Sequence, residues 1–230
     1  MKKLIIFLTV ITVLVIAGAA IASSAKENMP VLEKKVFIHY KEGFANKPST
    51  RSSSCYAFMG RGLKLDIPEG LVISPDLDRS AIVASAGEWD NHTSASLFNS
   101  YTVDATANWD DDVPDGRNEL SFGDYPQDGV IAVTISWGYF SGPIGSRRIT
   151  EFDIMFDNTD FVWGDADIDS TVMDLQNIAT HEIGHGLGLA DVYQSSCGQV
   201  TMYGYSKEGD IIKRTLETPD ITGLQSLYGK

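Results

Sequence analysis

The chain has 230 residues, of which 43% are hydrophobic and 21% charged, with 18 basic and 31 acidic residues and a net charge of −13. That length suffices for one well-packed domain once any leader is removed. An acidic surface repels phosphate backbones, so nucleic acid is excluded as an expected partner.

Lys2 and Lys3 precede an apolar run from Leu4 to Ala20, followed by the small residues of "AIASSA". This order predicts a secretory signal over residues 1–25, cut after Ala22 or Ala25, and hence a secreted, extracellular protein. The other reading is an uncleaved anchor, the only way this chain would meet a membrane. Removing Lys2 and Lys3 leaves 16 basic and 31 acidic residues, a net charge of −15. Residues 26–50 are polar, run into "KEGFANKPSTRSSS", and read as a linker or short pro-segment, with the folded domain over 51–230.

Within that domain "GLKLDIPEG" alternates as a half-buried strand should. "SPDLDRSAIVASAGEWDNHTS" follows as a helix with Ile82, Ala86 and Trp89 on one stripe. Past the turn-rich "DDDVPDGRN" come three strand-like runs, "ELSFG", "VIAVTISWGYF" and "RITEFDIMFD". A helix is expected from about Met173, then an extended loop. "TPDITGLQSLYG" reads as a short closing helix with Thr218 at the cap, Pro219 at its first position and Gly229 beyond its end. Strands and helices together predict an α/β (α+β) single domain. A monomer is expected.

The chemistry concentrates in "HEIGHGLGLAD", residues 181–191. His181 and His185 are four apart, hence on one helical face, and both can reach a single Zn²⁺. Glu182 is rotated by about 100° from His181, outside the ligand set but within reach of a water held at the metal, where it can act as general base and acid. Two histidines alone do not hold a catalytic zinc. Gly188 is placed to end the helix in a left-handed turn, bringing Asp191 back as the third ligand.

Cys55 and Cys197 are the only cysteines. An exported chain with an even count favours a disulfide between them; the alternative is a Cys55 thiolate blocking the metal. Two groups of carboxylates, Asp165, Asp167 and Asp169, and Asp157 with Asp160, raise a Ca²⁺ reading. They lack the glycine and terminal glutamate of a full calcium loop, and a solvated acidic loop is the other reading.

"HEIGHGLGLAD" resembles the extended zinc motif of the metzincin endopeptidases. "VTMYGY" supplies Met202 for the methionine turn of that group, and "RTLETPDITGLQSLYG" and "FDIMFDNTDFVW" look like the closing helix and pre-site strand of its matrixin branch, peptidase family M10. The resemblance implies a twisted, mostly parallel sheet of about five strands, with an active-site helix, a helix in the N-terminal half and a C-terminal helix. It implies a zinc-dependent endopeptidase acting on an extended peptide or protein. "VIAVTISW", with Ala132 and Val133, would be the edge strand that pairs with substrate. Tyr203 and Tyr205 would line the pocket beyond the cleaved bond, and Met202 would pack beneath the metal. Asp191 stands where most matrixins have histidine. His39 and His92 are the only histidines outside the motif, and Met155 stands where a strand histidine would be expected, so one zinc is expected rather than two. No Pro-Arg-Cys-Gly switch occurs, which supports the Cys55–Cys197 pairing. The alternatives are an inactive metal-binding or adhesion module on the same fold, and a zinc hydrolase of a non-peptide substrate.

Overall fold

The computed structural model describes residues 31–44 and 54–230. The expected signal segment lies outside them. In chain order the elements are β1 (Glu33–Lys41), β2 (Ala57–Phe58), β3 (Glu69–Ile73), α1 (Arg79–Asp90), β4 (Phe98–Val103), β5 (Asn118–Gly123), β6 (Val130–Tyr139), β7 (Arg148–Asp157), β8 (Trp163–Gly164), β9 (Met173–Asp174), α2 (Leu175–Gly186), β10 (Leu189–Ala190), β11 (Tyr205–Ser206) and α3 (Thr218–Tyr228), with 3-10 turns over Ile144–Ser146, Ser195–Cys197 and Ile212–Arg214.

The main sheet has seven strands, not about five, in the order β11-β1-β6-β7-β5-β3-β4. β4, β3, β5 and β7 run parallel to their neighbours, and β6 reverses against β7. The two extra strands lie beyond β6: β1 pairs with it antiparallel and β11 runs parallel to β1. This corrects the reading of residues 26–50 as a linker ahead of a domain starting at 51. "KVFIHY" carries β-branched and aromatic residues enough to form a strand, but its charged flanks and the polar stretch after it hid the signal. It also corrects the expectation that Ala132 and Val133 sit on an edge strand, because β6 has a hydrogen-bonded neighbour on both sides.

β6 is buried from Val130 to Gly138. One of its faces joins the main core beneath the helices, which includes Ile131, Ala132, Phe152, Ile154 and Phe156. Val133, Ile135, Trp137 and Met155 form a smaller cluster with Ile38, Tyr40, Trp109 and Tyr125. Apolar residues on both faces explain the near-continuous hydrophobic run in its sequence.

"GLKLDIPEG" turns out to be mostly irregular. Leu65 makes one isolated bridge to Ile149, and the strand proper begins at Glu69, after Pro68, which has no N–H to give to a ladder. β4 escaped the sequence reading because Asn99, Ser100, Thr102 and Val103 are exposed and show no alternation.

α1 behaves as its stripe predicts. Ile82, Ala86 and Trp89 are fully buried, and the Asp78 side chain caps the helix by accepting from Ser80 N at 2.8 Å. Trp89 Nε1 donates to Thr180 O at 2.8 Å, fixing α1 to α2. The cap of α3 is Glu217 rather than Thr218, in a reciprocal capping box with Asp220. Cys55 and Cys197 are joined by a disulfide, which ties the start of the second described segment to the loop before Met202.

Candidate metal centre

α2 begins where the Asp174 carboxylate accepts from Asn177 N at 2.8 Å. Its end is set by Gly188, at φ 104°, whose N–H reaches back to His185 O at 2.9 Å. A Cβ there would meet Leu63 O at 2.6 Å, so both the left-handed backbone and the close approach of the Leu63 backbone require glycine. The chain then turns as the sequence suggested and brings Asp191 back under the helix. Asp191 Oδ1 lies 3.2 Å from His181 Nε2 and 3.5 Å from His185 Nε2.

Both imidazoles are oriented from behind. His181 Nδ1 donates to Thr201 O at 2.7 Å and His185 Nδ1 to Leu189 O at 3.0 Å, which turns each Nε2 inward. Tyr193 donates its hydroxyl to Asp191 Oδ2 at 3.0 Å, leaving Oδ1 to face the histidines. His181 Nε2 and Asp191 Oδ1 are buried and make no hydrogen bond. With Nδ1 carrying the proton, an Nε2 lone pair and a carboxylate oxygen face one another across 3.2 Å, an arrangement that calls for a cation between them. Burial holds His181 down at about 4, so it is neutral and competent to bind metal; at His185 burial is outweighed by the Asp191 carboxylate and the balance is upward. Asp191 is held well below the usual carboxylate range, its burial overcome by the two histidines. The donor set of His181, His185 and Asp191 is consistent with a zinc-binding site.

Glu182 is fully buried beside this triad. Thr134 Oγ1 donates to its Oε2 at 2.6 Å, and His39 Nδ1 lies 2.9 Å from its Oε1. Burial pushes Glu182 up to about 7. Met202 is buried under the helix. A Cβ on Gly184 would fall 2.4 Å from Met202 Sδ and 2.8 Å from Trp89, so that glycine is what lets the methionine turn approach. Asp220 of α3 holds the turn in place, accepting from Thr201 N at 2.9 Å and Met202 N at 3.1 Å.

The remaining expected residues are distributed as follows. Tyr205 is buried on β11, its ring 5.7 Å from that of Tyr203 and 5.2 Å from that of Tyr193. Ala132 and Val133 lie opposite His39 and Ile38 of β1. Met155 is buried on β7, and His92 pairs with Glu88 at 3.1 Å. Of the carboxylates raised for calcium, Asp165 and Asp167 are engaged by Arg214 at 2.6 and 2.7 Å, and Asp157 accepts from Thr159 N and Asp160 N at 2.9 Å. The acids that do converge are others: Asp110, Glu151 and Asp153 bring oxygens within 4.8 Å of one another. Burial, with repulsion from Asp115 and Asp110, pushes Glu151 up to about 7, and burial with repulsion from Glu151 pushes Asp153 up to about 9.

Sequence reasoning missed His39, Thr134, Tyr193, Ser206, Lys213 and Asp220. Only Tyr193, two residues after Asp191, carried a local hint. The others reach the centre from elements up to 174 residues apart, the span between Lys213 and His39.

A helix carrying two inward imidazoles and a glutamate, closed by an aspartate from the following turn and floored by a buried methionine, has the architecture of a metzincin-like zincin. The chain belongs to the matrixin family, whose model matches residues 99–229. It is 35% identical over 109 residues to stromelysin-1 of Rattus norvegicus, covering 46% of this chain and 20% of that protein. It is 36% identical over 107 residues to matrix metalloproteinase-25 of Homo sapiens, covering 46% of this chain and 18% of that protein. The matched stretch thus spans about a fifth of the length of these curated relatives.

Proposed function

We propose that the protein is an exported, zinc-dependent endopeptidase that hydrolyses peptide bonds in extended protein substrates. The observation that carries this reading is the convergence of His181 Nε2, His185 Nε2 and Asp191 Oδ1 beside the carboxylate of Glu182. A zinc ion bound by the three side chains supplies Lewis-acid polarisation of the scissile carbonyl and of the attacking water. Glu182, steadied by Thr134, takes the proton from that water and delivers it to the leaving amine. A carboxylate with its affinity for protons raised toward 7 is suited to both halves of this transfer at neutral pH.

Export agrees with the N-terminal signal pattern and with a disulfide, which persists in oxidising compartments. No helix among the described residues is long and apolar enough to cross a membrane. The deciding experiment is cleavage of a generic unfolded protein by the zinc-loaded chain, with Glu182→Ala and a chelator as controls. Cleavage lost in both controls is expected; cleavage that survives Glu182→Ala would sink the assignment, and zinc retained without any cleavage would favour a binding module.

A further inference from the structure

We propose that Lys213, with Ser206 beside it, makes the protein select an acidic side chain, glutamate above all, just after the bond it cleaves. This inference rests on the endopeptidase reading and names the substrate class of that site. Lys213 is a cation in surroundings that do not suit one. It is 1% exposed, in the 3-10 turn that follows β11. Lysine is almost never fully buried unless paired, because neutral partners do not offset the loss of water around an ammonium. No carboxylate among the described residues pairs with this one. Its partners are the carbonyl oxygen of Tyr203 and, at 3.2 Å, Nε2 of His39. The charges of Asp191, Glu182, Asp210 and Asp220 act on it from beyond contact, and burial outweighs them, holding it down at about 7.

The ammonium is aimed at a definite point. Lys213 N donates to Asn177 Oδ1 of α2 at 2.7 Å, and from this anchor the side chain reaches the Tyr203 carbonyl. Ser206 Oγ of β11 meets the same His39 Nε2 at 3.1 Å. An ammonium only donates and a carboxylate only accepts, so Nε2 is the acceptor here, while Nδ1 carries its proton toward Glu182 Oε1 at 2.9 Å. Two donors from separate elements therefore converge on one acceptor, a single imidazole ring away from the general base. Tyr203 and Tyr205, which the family resemblance sets beyond the cleaved bond, flank that point in the chain, so it belongs to the leaving-group side.

The chemistry of the point favours a carboxylate. An imidazole nitrogen has one lone pair to share between a hydroxyl and an ammonium. A carboxylate has an oxygen for each, and the charge that Lys213 lacks beside it. Glutamate carries its oxygens as many bonds from Cα as histidine carries Nε2, so in the place of that ring it reaches both donors. Aspartate is one bond short. Glutamine matches the length but brings one acceptor and no charge. An apolar side chain would leave both donors unmet, and a basic one would set two cations together away from water.

The test starts from a sequence that the full zinc-loaded chain cuts in an unfolded protein. Fluorescence-quenched peptides of that sequence are made with glutamate, aspartate, glutamine, leucine or lysine after the cut, and mass spectrometry fixes the cut position. We expect kcat/KM to be at least about tenfold higher for glutamate than for glutamine or leucine, with lysine poorest. In Lys213→Met, its folding checked by a melting curve, the glutamate-to-leucine ratio should fall at least about tenfold. In Ser206→Ala it should fall severalfold, and this variant decides should Lys213→Met not fold. A lysine that only braced the fold would lower every peptide alike and leave the ratio in place. A ratio near one in the unsubstituted chain, or a ratio that survives in the folded variant, overturns the inference while the endopeptidase reading stands. If nothing is cut although zinc is bound, that reading falls and the inference with it.

Discussion

The Tyr193 hydroxyl donates to Asp191 Oδ2 at 3.0 Å and so decides which carboxylate oxygen faces the two imidazoles. A partner of this kind fixes a ligand's orientation and its basicity, and its loss typically costs 10–100-fold in metal affinity. Tyr193→Phe keeps the ring and its packing against Tyr205 while removing the donor. Zinc affinity measured by competition with a chromophoric chelator should fall roughly tenfold or more. An unchanged affinity would mean that Asp191 is positioned by its backbone alone.

Thr134 holds Glu182 as Tyr193 holds Asp191, by one hydroxyl hydrogen bond to a carboxylate oxygen. Its hydroxyl reaches Glu182 Oε2 at 2.6 Å from the middle of β6. Thr134→Val is close to isosteric and leaves His181, His185 and Asp191 untouched. We expect kcat to fall by about tenfold, the equivalent of one hydrogen bond to a charged group, with KM and zinc content unchanged. A change confined to KM would assign Thr134 to substrate pairing instead.

Asp220 joins the closing helix to the methionine turn. Its two oxygens take the N–H groups of Thr201, Met202 and Glu217 at 2.9, 3.1 and 3.0 Å. Asp220→Ala leaves these donors without partners, two of them in the buried turn. The loss should be about 3 kcal/mol or more, which for a domain of this size lowers the melting temperature by about 6–12 °C. Asp220→Asn, which keeps one good acceptor, should lose less. Equal melting temperatures for all three forms would refute the bracing role.

Asp153 gives a pH signature distinct from the metal centre. Burial, with Glu151 adding repulsion, raises its carboxyl to about 9, against about 3.9 in an unfolded chain. Between those values the unfolded chain releases the proton and the folded chain keeps it, so the native state loses stability as pH rises from about 4 to about 9. Asp153→Asn does not titrate and can still accept from Glu119 N, now at 3.1 Å. In chelator, the variant's melting temperature should match the wild type near pH 4 and exceed it by at least about 3 °C at pH 8, which is about 1 kcal/mol. A difference that stays constant with pH would show that Asp153 does not titrate over this range.

How much was legible in the sequence follows from the range of each interaction. The spacing of His181, Glu182 and His185 is a property of one helix, and Gly188 announces its end through a backbone conformation open chiefly to glycine. The stripe of α1 and the β-rich runs of β5, β6 and β7 were visible for the same local reason. β1 and β4 were not. The first sits among charged and polar neighbours, and the second is an exposed edge whose side chains show no alternation.

By itself, then, the sequence determined which residues could form a metal centre, because ligand type and helical spacing are encoded within eleven consecutive positions. Tertiary structure alone decided what surrounds that centre: Thr134 and His39 on Glu182, Asp220 under Met202, and a strand from the N-terminal segment laid along β6. These contacts join positions up to 143 residues apart, as His39 and Glu182 are, and no local periodicity records a pairing that exists only once the sheet has closed around the helix.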